Sequence, residues 1–208
     1  MRRVIVGMTG ATGAILGVRL LQAMRAADVE THLVLSKWGQ STIEHETHLA
    51  VKQVRELASV VHGIANMGAT ISSGSFVTDG MVIVPCSMRT LAAIAHGTGE
   101  NLVHRAADVV LKERRRLVLV TREMPLSDIH LENMLKLSRA GAVIMPPMPA
   151  FYNHPKTLDE MIDHIVARIL DQFHIEASFA RRWTGRMESH SKVAIAALRP
   201  ALPEDADD

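Results

Sequence analysis

Short apolar runs alternate along the chain with longer stretches of helical spacing. Runs rich in β-branched residues predict buried strands at 4–8, 31–35, 80–85, 117–120 and 142–145. Apolar side chains three and four positions apart predict helices at about 15–27, 40–48, 52–60, 87–96, 101–113 and 129–139, and a clearer one from Leu158 to Phe173. This alternation predicts an α/β fold, a doubly wound, mostly parallel sheet in a flavodoxin-like or Rossmann-like three-layer sandwich.

The length of 208 residues suits one domain better than two. We expect that domain to span residues 1–183, because the periodic pattern is lost after Trp183. We expect residues 184–208 to form a partly disordered tail. No apolar run approaches the roughly 20 residues of a membrane span. The first residues also lack the apolar core of a signal peptide, so a cytoplasmic location without a membrane partner is expected.

Charge and composition narrow the range of partners. The formal net charge is +1 and aromatic residues make up 3% of the chain, so neither electrostatics nor base stacking favours a nucleic-acid partner. The single cysteine, Cys86, excludes an internal disulfide and ends a buried strand, which favours a core thiol. The 11 histidines show no HExxH motif and no paired Cys/His spacing, so no metal site is predicted.

Hydroxyls, glycines and cations follow the predicted strands. In a parallel sheet these segments meet at one edge, where ligands bind. The segments there are Thr9 to Ala14, Ser36-Lys37, Ser87 to Thr90, Arg122-Glu123 and Pro146-Pro147. Glycines let backbone N–H groups turn toward a ligand, and helix N-termini add a favourable dipole, so these segments suit a phosphate ester. Each Ser or Thr taken alone is equally well explained as a helix N-cap.

A nicotinamide dinucleotide is the competing ligand, because the TGATG string occurs in some short-chain dehydrogenases and Tyr152 and Lys156 have the spacing of their catalytic pair. Two features weaken this interpretation. Pro155 lies between the pair and is poorly tolerated inside a helix. Ser36 stands where a dinucleotide site expects an acidic residue.

Three cations lie on predicted helices. Arg105 and Lys112 are seven residues apart and share one face, where Asp108 can pair with Lys112. From the residues alone, a solvated polar face explains them better than a binding site. Arg168 flanks the apolar stripe of the last helix and either is solvated or reaches an interface.

Several strings taken together resemble the flavin prenyltransferases of the UbiX/Pad type. They are GMTGATGAILG (7–17), SKW (36–38), ISSGSF (71–76), DGMVIVPCSMRTLAAIAHG (79–97), RAADVVLKERRRLVLVTREMPLSDIHLENML (105–135) and PPMPAFYNHP (146–155). The resemblance runs from about residue 2 to residue 175. The string ARRWTG (180–185) resembles the branch associated with phenolic-acid decarboxylase systems, whose members are often labelled decarboxylase subunits.

The resemblance implies a metal-independent enzyme that joins the dimethylallyl group of dimethylallyl phosphate to reduced FMN. The product, prenylated FMN, serves a UbiD-type decarboxylase. The resemblance also implies a homo-dodecamer with active sites at subunit junctions. Two rival functions stay open: an FMN-dependent aromatic acid decarboxylase, and a non-catalytic flavin carrier.

The resemblance also assigns site residues. FMN would be held by Gly10, Ala11, Thr12, Ser36, Ser87, Met88, Arg89, Thr90 and Arg122, and the allylic phosphate by Tyr152, Arg168 and Lys112. Catalytic roles would fall to Glu123, Lys112, Tyr152, Arg105 and Glu46. Thr12 stands where the family more often has Ser, a change that keeps the hydroxyl. This assignment reverses the solvated-face interpretation of Lys112.

Overall fold

The computed structural model describes residues 2–185. The strands are β1 (Arg3–Met8), β2 (Glu30–Leu35), β3 (Val60–His62), β4 (Gly80–Cys86), β5 (Arg116–Thr121) and β6 (Val143–Ile144). The helices are α1 (Ala14–Ala26), α2 (Lys37–Glu46), α3 (Val51–Arg55), α4 (Met88–His96), α5 (Leu102–Lys112), α6 (Asp128–Arg139) and α7 (Leu158–Asp171), with a 3₁₀ turn at Thr70–Ser72. Residues 186–208 of the predicted tail lie outside the described part.

The strands form one sheet in the order β3-β2-β1-β4-β5-β6. Every pairing between them is parallel, so the predicted doubly wound, parallel sheet is confirmed. The sequence-based assignment missed β3 and wrongly extended the preceding helix to residue 60, whereas α3 ends at Arg55. β3 is three residues long, lies at the sheet edge and leaves Val60 and Val61 exposed, so it lacks the buried apolar run that marks the other strands.

Alternate residues of the central strands face two separate cores. Val4, Val82 and Val118 point to one face, where α1 and α7 pack. Ile5, Met81 and Leu117 point to the other face, where α4, α5 and α6 pack. Helices α5 and α7 therefore lie on opposite faces of the sheet, which decides which predicted site residues a single chain can bring together.

A cluster of charged and histidine side chains joins the starts of β1 and β2. Arg3 donates two hydrogen bonds to the Glu30 carboxylate, at 2.8 and 2.9 Å. Glu30 Oε1 also lies 2.9 Å from Nε2 of His32, whose Nδ1 is 2.9 Å from Nε2 of His62. The hydrogen bond from Arg3, followed by that from His32, lowers the pKa of Glu30 to about 2. Burial and then the charge of His32 lower the pKa of His62.

We expect acid to lower the free energy of unfolding by protonating Glu30 in this cluster. A carboxyl whose pKa falls from 4.5 to about 2 on folding stabilises the fold above pH 4.5 and loses that contribution as the pH falls toward 2. Glu30→Gln should therefore lower the urea midpoint at neutral pH and reduce its fall between pH 5 and pH 3. The exposed Glu44→Gln is the control. If the urea midpoint of Glu30→Gln fell as steeply between pH 5 and pH 3 as that of the parent, the result would contradict this account.

Candidate active site

The turn after β1 is locked to the end of β4. The Thr9 hydroxyl, which is buried, donates to the Pro85 carbonyl at 2.9 Å and accepts from the Ser87 N–H at 2.9 Å. Gly10 lies so close to Trp38 that an added Cβ would be 2.3 Å from the Trp38 Cβ. Glycine at position 10 therefore allows the first turn to approach the start of α2.

Helices α2 and α4 begin beside this turn, and each has a serine N-cap. Ser36 Oγ accepts from the Gly39 N–H at 2.9 Å. Ser87 Oγ accepts from the Thr90 N–H at 3.3 Å and donates to the Thr90 hydroxyl at 3.1 Å. The capping role considered from sequence is therefore real for both serines. Capping and ligand binding are compatible here, because the capped N-termini carry a positive dipole at the same cleft.

A cleft of about 390 Å³ opens between these N-termini. Five of the predicted flavin ligands line the cleft: Gly10, Ser36, Ser87, Arg89 and Thr90. The other lining residues are Thr9, Lys37, Trp38, Ile64, Asn101 and His104. Sequence reasoning missed His104, which is buried and whose Nδ1 has no hydrogen-bond partner within residues 2–185. The volume, the glycine approach and the two helix dipoles fit a phosphate-bearing ligand such as FMN.

The other predicted flavin residues surround the cleft without lining it. Ala11 and Thr12 belong to the first turn, where the Ala11 N–H donates to the Thr9 carbonyl at 2.9 Å. The Met88 side chain is buried in the core that covers α4, so only its backbone can face a ligand. The Arg122 N–H bonds to the Cys86 carbonyl at 3.2 Å, which holds the end of β5 beside the end of β4.

Glu46 occupies the N-terminus of α1. Its Oε2 accepts from the N–H groups of Gly13 and Ala14, both at 2.8 Å. Burial would raise the pKa of Glu46, but hydrogen bonds from Thr12, Ala14 and Gly13 outweigh it and hold the pKa below its usual value. Glu46 is therefore ionised, and it places a carboxylate next to the Thr12 hydroxyl. The N-terminus of α1 is thus occupied by Glu46, whereas the N-termini of α2, α4 and α5 border the cleft.

Tyr152 and Arg168 belong to a second group, beside α7. The Tyr152 hydroxyl lies 3.2 Å from Nε2 of His164, and the Tyr152 ring meets the Trp183 ring edge-on with centroids 5.6 Å apart. Arg168 is bound to Asp171 at 2.6 Å, and Arg182 binds the same carboxylate at 2.7 Å. Tyr152 and Lys156 lie in the loop before α7, not on a helix, as expected from Pro155. A dehydrogenase-type Tyr–Lys pair is therefore not formed.

Arg105 and Lys112 form a third group, on α5. Arg105 Nε donates to the Ser72 carbonyl at 3.2 Å, and its Nη1 binds Asp108 at 2.7 Å. Lys112 pairs with Glu113, so the expected Asp108–Lys112 pair is replaced by these two contacts. Both cations keep between a third and a half of their side-chain surface exposed. They form a polar face that is available to a further partner.

The two cation groups, on α5 and beside α7, are not brought together within a single chain. Helix α5, with Arg105 and Lys112, covers one face of the sheet, while α7, with Arg168, covers the other. No hydrogen bond or ion pair among the described residues links the two helices' cations. Glu123 lies apart from both groups, after the end of β5, where its Oε1 accepts from the Met124 N–H at 3.3 Å. A single chain therefore leaves Lys112 and Arg168 on opposite faces of the sheet.

Further features of residues 2–185 concern metal ions, the membrane, the cysteine and a second cavity. Among residues 2–185, no group of three His, Cys, Asp or Glu side chains is placed to share a metal ion, and no helix is both long and apolar enough to cross a bilayer. Burial raises the pKa of the Cys86 thiol to about 12, so this cysteine is a packing residue and not a nucleophile. A larger, arginine-rich cavity of about 610 Å³ includes Arg116 at the start of β5, at the sheet edge opposite the flavin cleft.

Comparison with known proteins shows the family and the fold to which this site belongs. The model of the family described as Flavoprotein matches residues 1–174. A probable UbiX-like flavin prenyltransferase from Streptomyces sp. (strain D7) is 66% identical over 88% of this chain and 92% of that relative. The crystal structure of AnUbiX (PadA1) in complex with FMN and dimethylallyl pyrophosphate is 56% identical, with a TM-score of 0.88 over 89% of this chain and 98% of that one.

A second solved structure is the dodecameric FMN-dependent UbiX-like decarboxylase from Escherichia coli O157:H7. It is 64% identical, with a TM-score of 0.87 over 88% of this chain and 100% of that one.

Proposed function

The chain belongs to the Flavoprotein family, among its UbiX-like flavin prenyltransferases, and we propose that its cleft between α2 and α4 holds reduced FMN while a dimethylallyl group is transferred to it. The observation that carries this function is the cleft between two capped helix N-termini, which fits a phosphate-bearing flavin. The cations of α5 and α7 are the groups that we assign to the allylic phosphate. A protein that only carried flavin would have no use for the cations of α5 and α7.

We assign flavin binding to the residues at the carboxyl edge of the sheet. Gly10 gives the backbone approach, while Ser36, Ser87 and Thr90 offer hydroxyls at the two helix N-termini, where the FMN phosphate is stabilised. Arg89 and Arg122 supply positive charge. Reduced FMN, when bound, provides the nitrogen-5 and carbon-6 atoms that accept the prenyl group.

The chain's own groups must stabilise the departing phosphate. When the allylic carbon–oxygen bond breaks, the bonding electrons leave with the phosphate, so negative charge grows on its oxygens. Lys112, Arg105, Arg168 and the Tyr152 hydroxyl are the groups that we assign to those oxygens. Ring closure needs a group that takes up the proton removed from the flavin carbon, and we assign this role to Glu123, with the released phosphate as the other candidate acceptor. The ionised Glu46 stays beside Thr12.

The opposite placement of α5 and α7 makes an oligomer necessary for this assignment. We propose that the active site is completed at a junction between copies of the chain, in a homo-dodecamer like that of the E. coli relative. Exposed apolar side chains on α6, Ile129, Leu131 and Leu135, provide surface for such contacts. Size-exclusion chromatography with light scattering measures the assembly directly.

We further propose that the prenylated FMN is handed to a UbiD-type decarboxylase, and that this exchange takes place in the cytoplasm. The free, buried Cys86 suits a reducing compartment. A UbiD-type apoenzyme should gain decarboxylase activity when it is mixed with this protein, reduced FMN and dimethylallyl phosphate. Omission of the dimethylallyl phosphate should remove the gain.

The rival function is direct decarboxylation of an aromatic acid; the E. coli relative is called a decarboxylase, although its name gives no substrate. The two are separated by incubating the protein without oxygen, with reduced FMN and either dimethylallyl phosphate or a phenolic acid. The prenyltransferase predicts a modified flavin in the first mixture and unchanged acid in the second. Loss of the acid's carboxyl group with unmodified flavin would instead support the decarboxylase.

A further inference from the structure

The one tyrosine of the chain, Tyr152, is held by a histidine that neither the family motifs nor the strand-end segments indicate. Nε2 of His164 lies 3.2 Å from the Tyr152 hydroxyl, and the two rings meet edge-on at 84°, with centroids 5.6 Å apart. His164 is buried, at 7% exposure, whereas Tyr152 is about half exposed. The contact therefore connects a rigid point on α7 to a hydroxyl that faces outward.

The surroundings of His164 keep its ring neutral. Burial, followed by the positive charge of Arg168, lowers the pKa of His164; Arg182 adds to this effect, and the Arg181 backbone acts in the opposite direction. A neutral imidazole carries one N–H, so its effect on Tyr152 depends on which nitrogen holds the proton.

The ring of His164 is held from two sides. Its Nε2 meets the Tyr152 hydroxyl, and a hydrogen-bonding interaction with the Arg181 backbone opposes the lowering of its pKa by burial. In either tautomer Nε2 can share a hydrogen bond with the Tyr152 hydroxyl, because a phenol both donates and accepts.

We propose that His164 is a positioning residue for prenyl transfer, which holds the Tyr152 hydroxyl in place beside the phosphate that leaves. The proposal rests on the proposed function, since it needs Tyr152 to touch that phosphate. The contact with a buried ring fixes the hydroxyl before the reaction, so it need not be brought into position as charge develops on the phosphate.

The first test is a double-mutant cycle on the full-length protein with His164→Phe, Tyr152→Phe and the double variant. His164→Phe keeps an aromatic ring but removes the hydrogen bond, and kcat should fall about tenfold with little change in KM for dimethylallyl phosphate. Because His164 acts through Tyr152, the double variant should be no slower than Tyr152→Phe. His164→Gln, whose amide can reach the Nε2 position, should recover most of the loss. Additive losses in the double variant would overturn the proposal.

The second test needs no catalysis and no flavin. Fluorotyrosine incorporated at the single tyrosine gives one fluorine resonance, which reports the environment of the Tyr152 hydroxyl. The resonance should shift in His164→Phe and return toward the parent position in His164→Gln. An unchanged resonance in His164→Phe would overturn the contact. If the parent protein makes no prenylated FMN although the resonance responds as expected, the proposed function fails and the catalytic role of His164 fails with it, while the contact itself stands.

Discussion

Replacing Lys112 with alanine should leave FMN bound and reduce prenyl transfer by at least about a hundredfold, because a cation that meets the departing phosphate oxygens is worth several kcal/mol in the transition state. FMN binding should persist because Lys112 pairs with Glu113 at the C-terminal end of α5, whereas the cleft residues of that helix, Asn101 and His104, lie at its N-terminal end. Flavin fluorescence measures binding, and turnover is measured as flavin modified per unit time.

Lys52→Ala is the matched control, since Lys52 is an exposed lysine on α3, away from the cation groups of α5 and α7. It should keep both binding and turnover. If Lys112→Ala retained the turnover of the parent, Lys112 would have no role in the reaction, and the solvated-face interpretation would be correct. If it lost FMN as well, the loss of turnover would report binding and not phosphate departure.

Two inactive variants should restore each other when they are co-expressed and purified as mixed oligomers by two different tags. Lys112→Ala removes a cation from α5, and Arg168→Ala removes one from α7, on the opposite face of the sheet. If each site takes these residues from different copies, random mixing leaves about a quarter of the sites with both residues intact. Turnover per site should therefore recover from near zero to about a quarter of that of the parent.

The control mixes Lys112→Ala with Arg105→Ala. These two positions lie on one helix, so a single copy supplies both residues, and every site in the mixed oligomer lacks one of them. No recovery is expected. Equal recovery in both mixtures would show that the single variants lose turnover for some reason other than the loss of a cation at the site. No recovery in either mixture would place the complete site within one chain.

The sequence predicted the parts of the fold that depend on continuous buried segments. Strand β1 and helix α7 have unbroken apolar patterns, and both were identified within a few residues. Strand β3 was missed because an exposed edge strand of three residues has neither a buried run nor an alternating pattern. The pattern of apolar residues along a chain reports burial, and it is silent where an element is held only by backbone pairing.

The site was predictable only as a set of loop segments. The cleft between α2 and α4 follows from parallel strands that end in Ser36 and Ser87, a relation that the sequence carries. That His164 lies next to Tyr152, or that the Glu46 carboxylate caps α1, depends on tertiary distances with no local sequence signature. The family resemblance supplied Glu46 as a site residue, and the structure adds the two N–H groups and the threonine that keep it ionised.

The most direct test of the central claim is the mass of the flavin after the protein has been incubated with reduced FMN and dimethylallyl phosphate without oxygen and then denatured. The account predicts FMN heavier by one five-carbon prenyl unit, formed only when protein and dimethylallyl phosphate are both present. Dimethylallyl pyrophosphate is run in parallel, because that compound is bound in the AnUbiX complex. Flavin of unchanged mass with both prenyl donors would contradict the assignment of this chain as a flavin prenyltransferase.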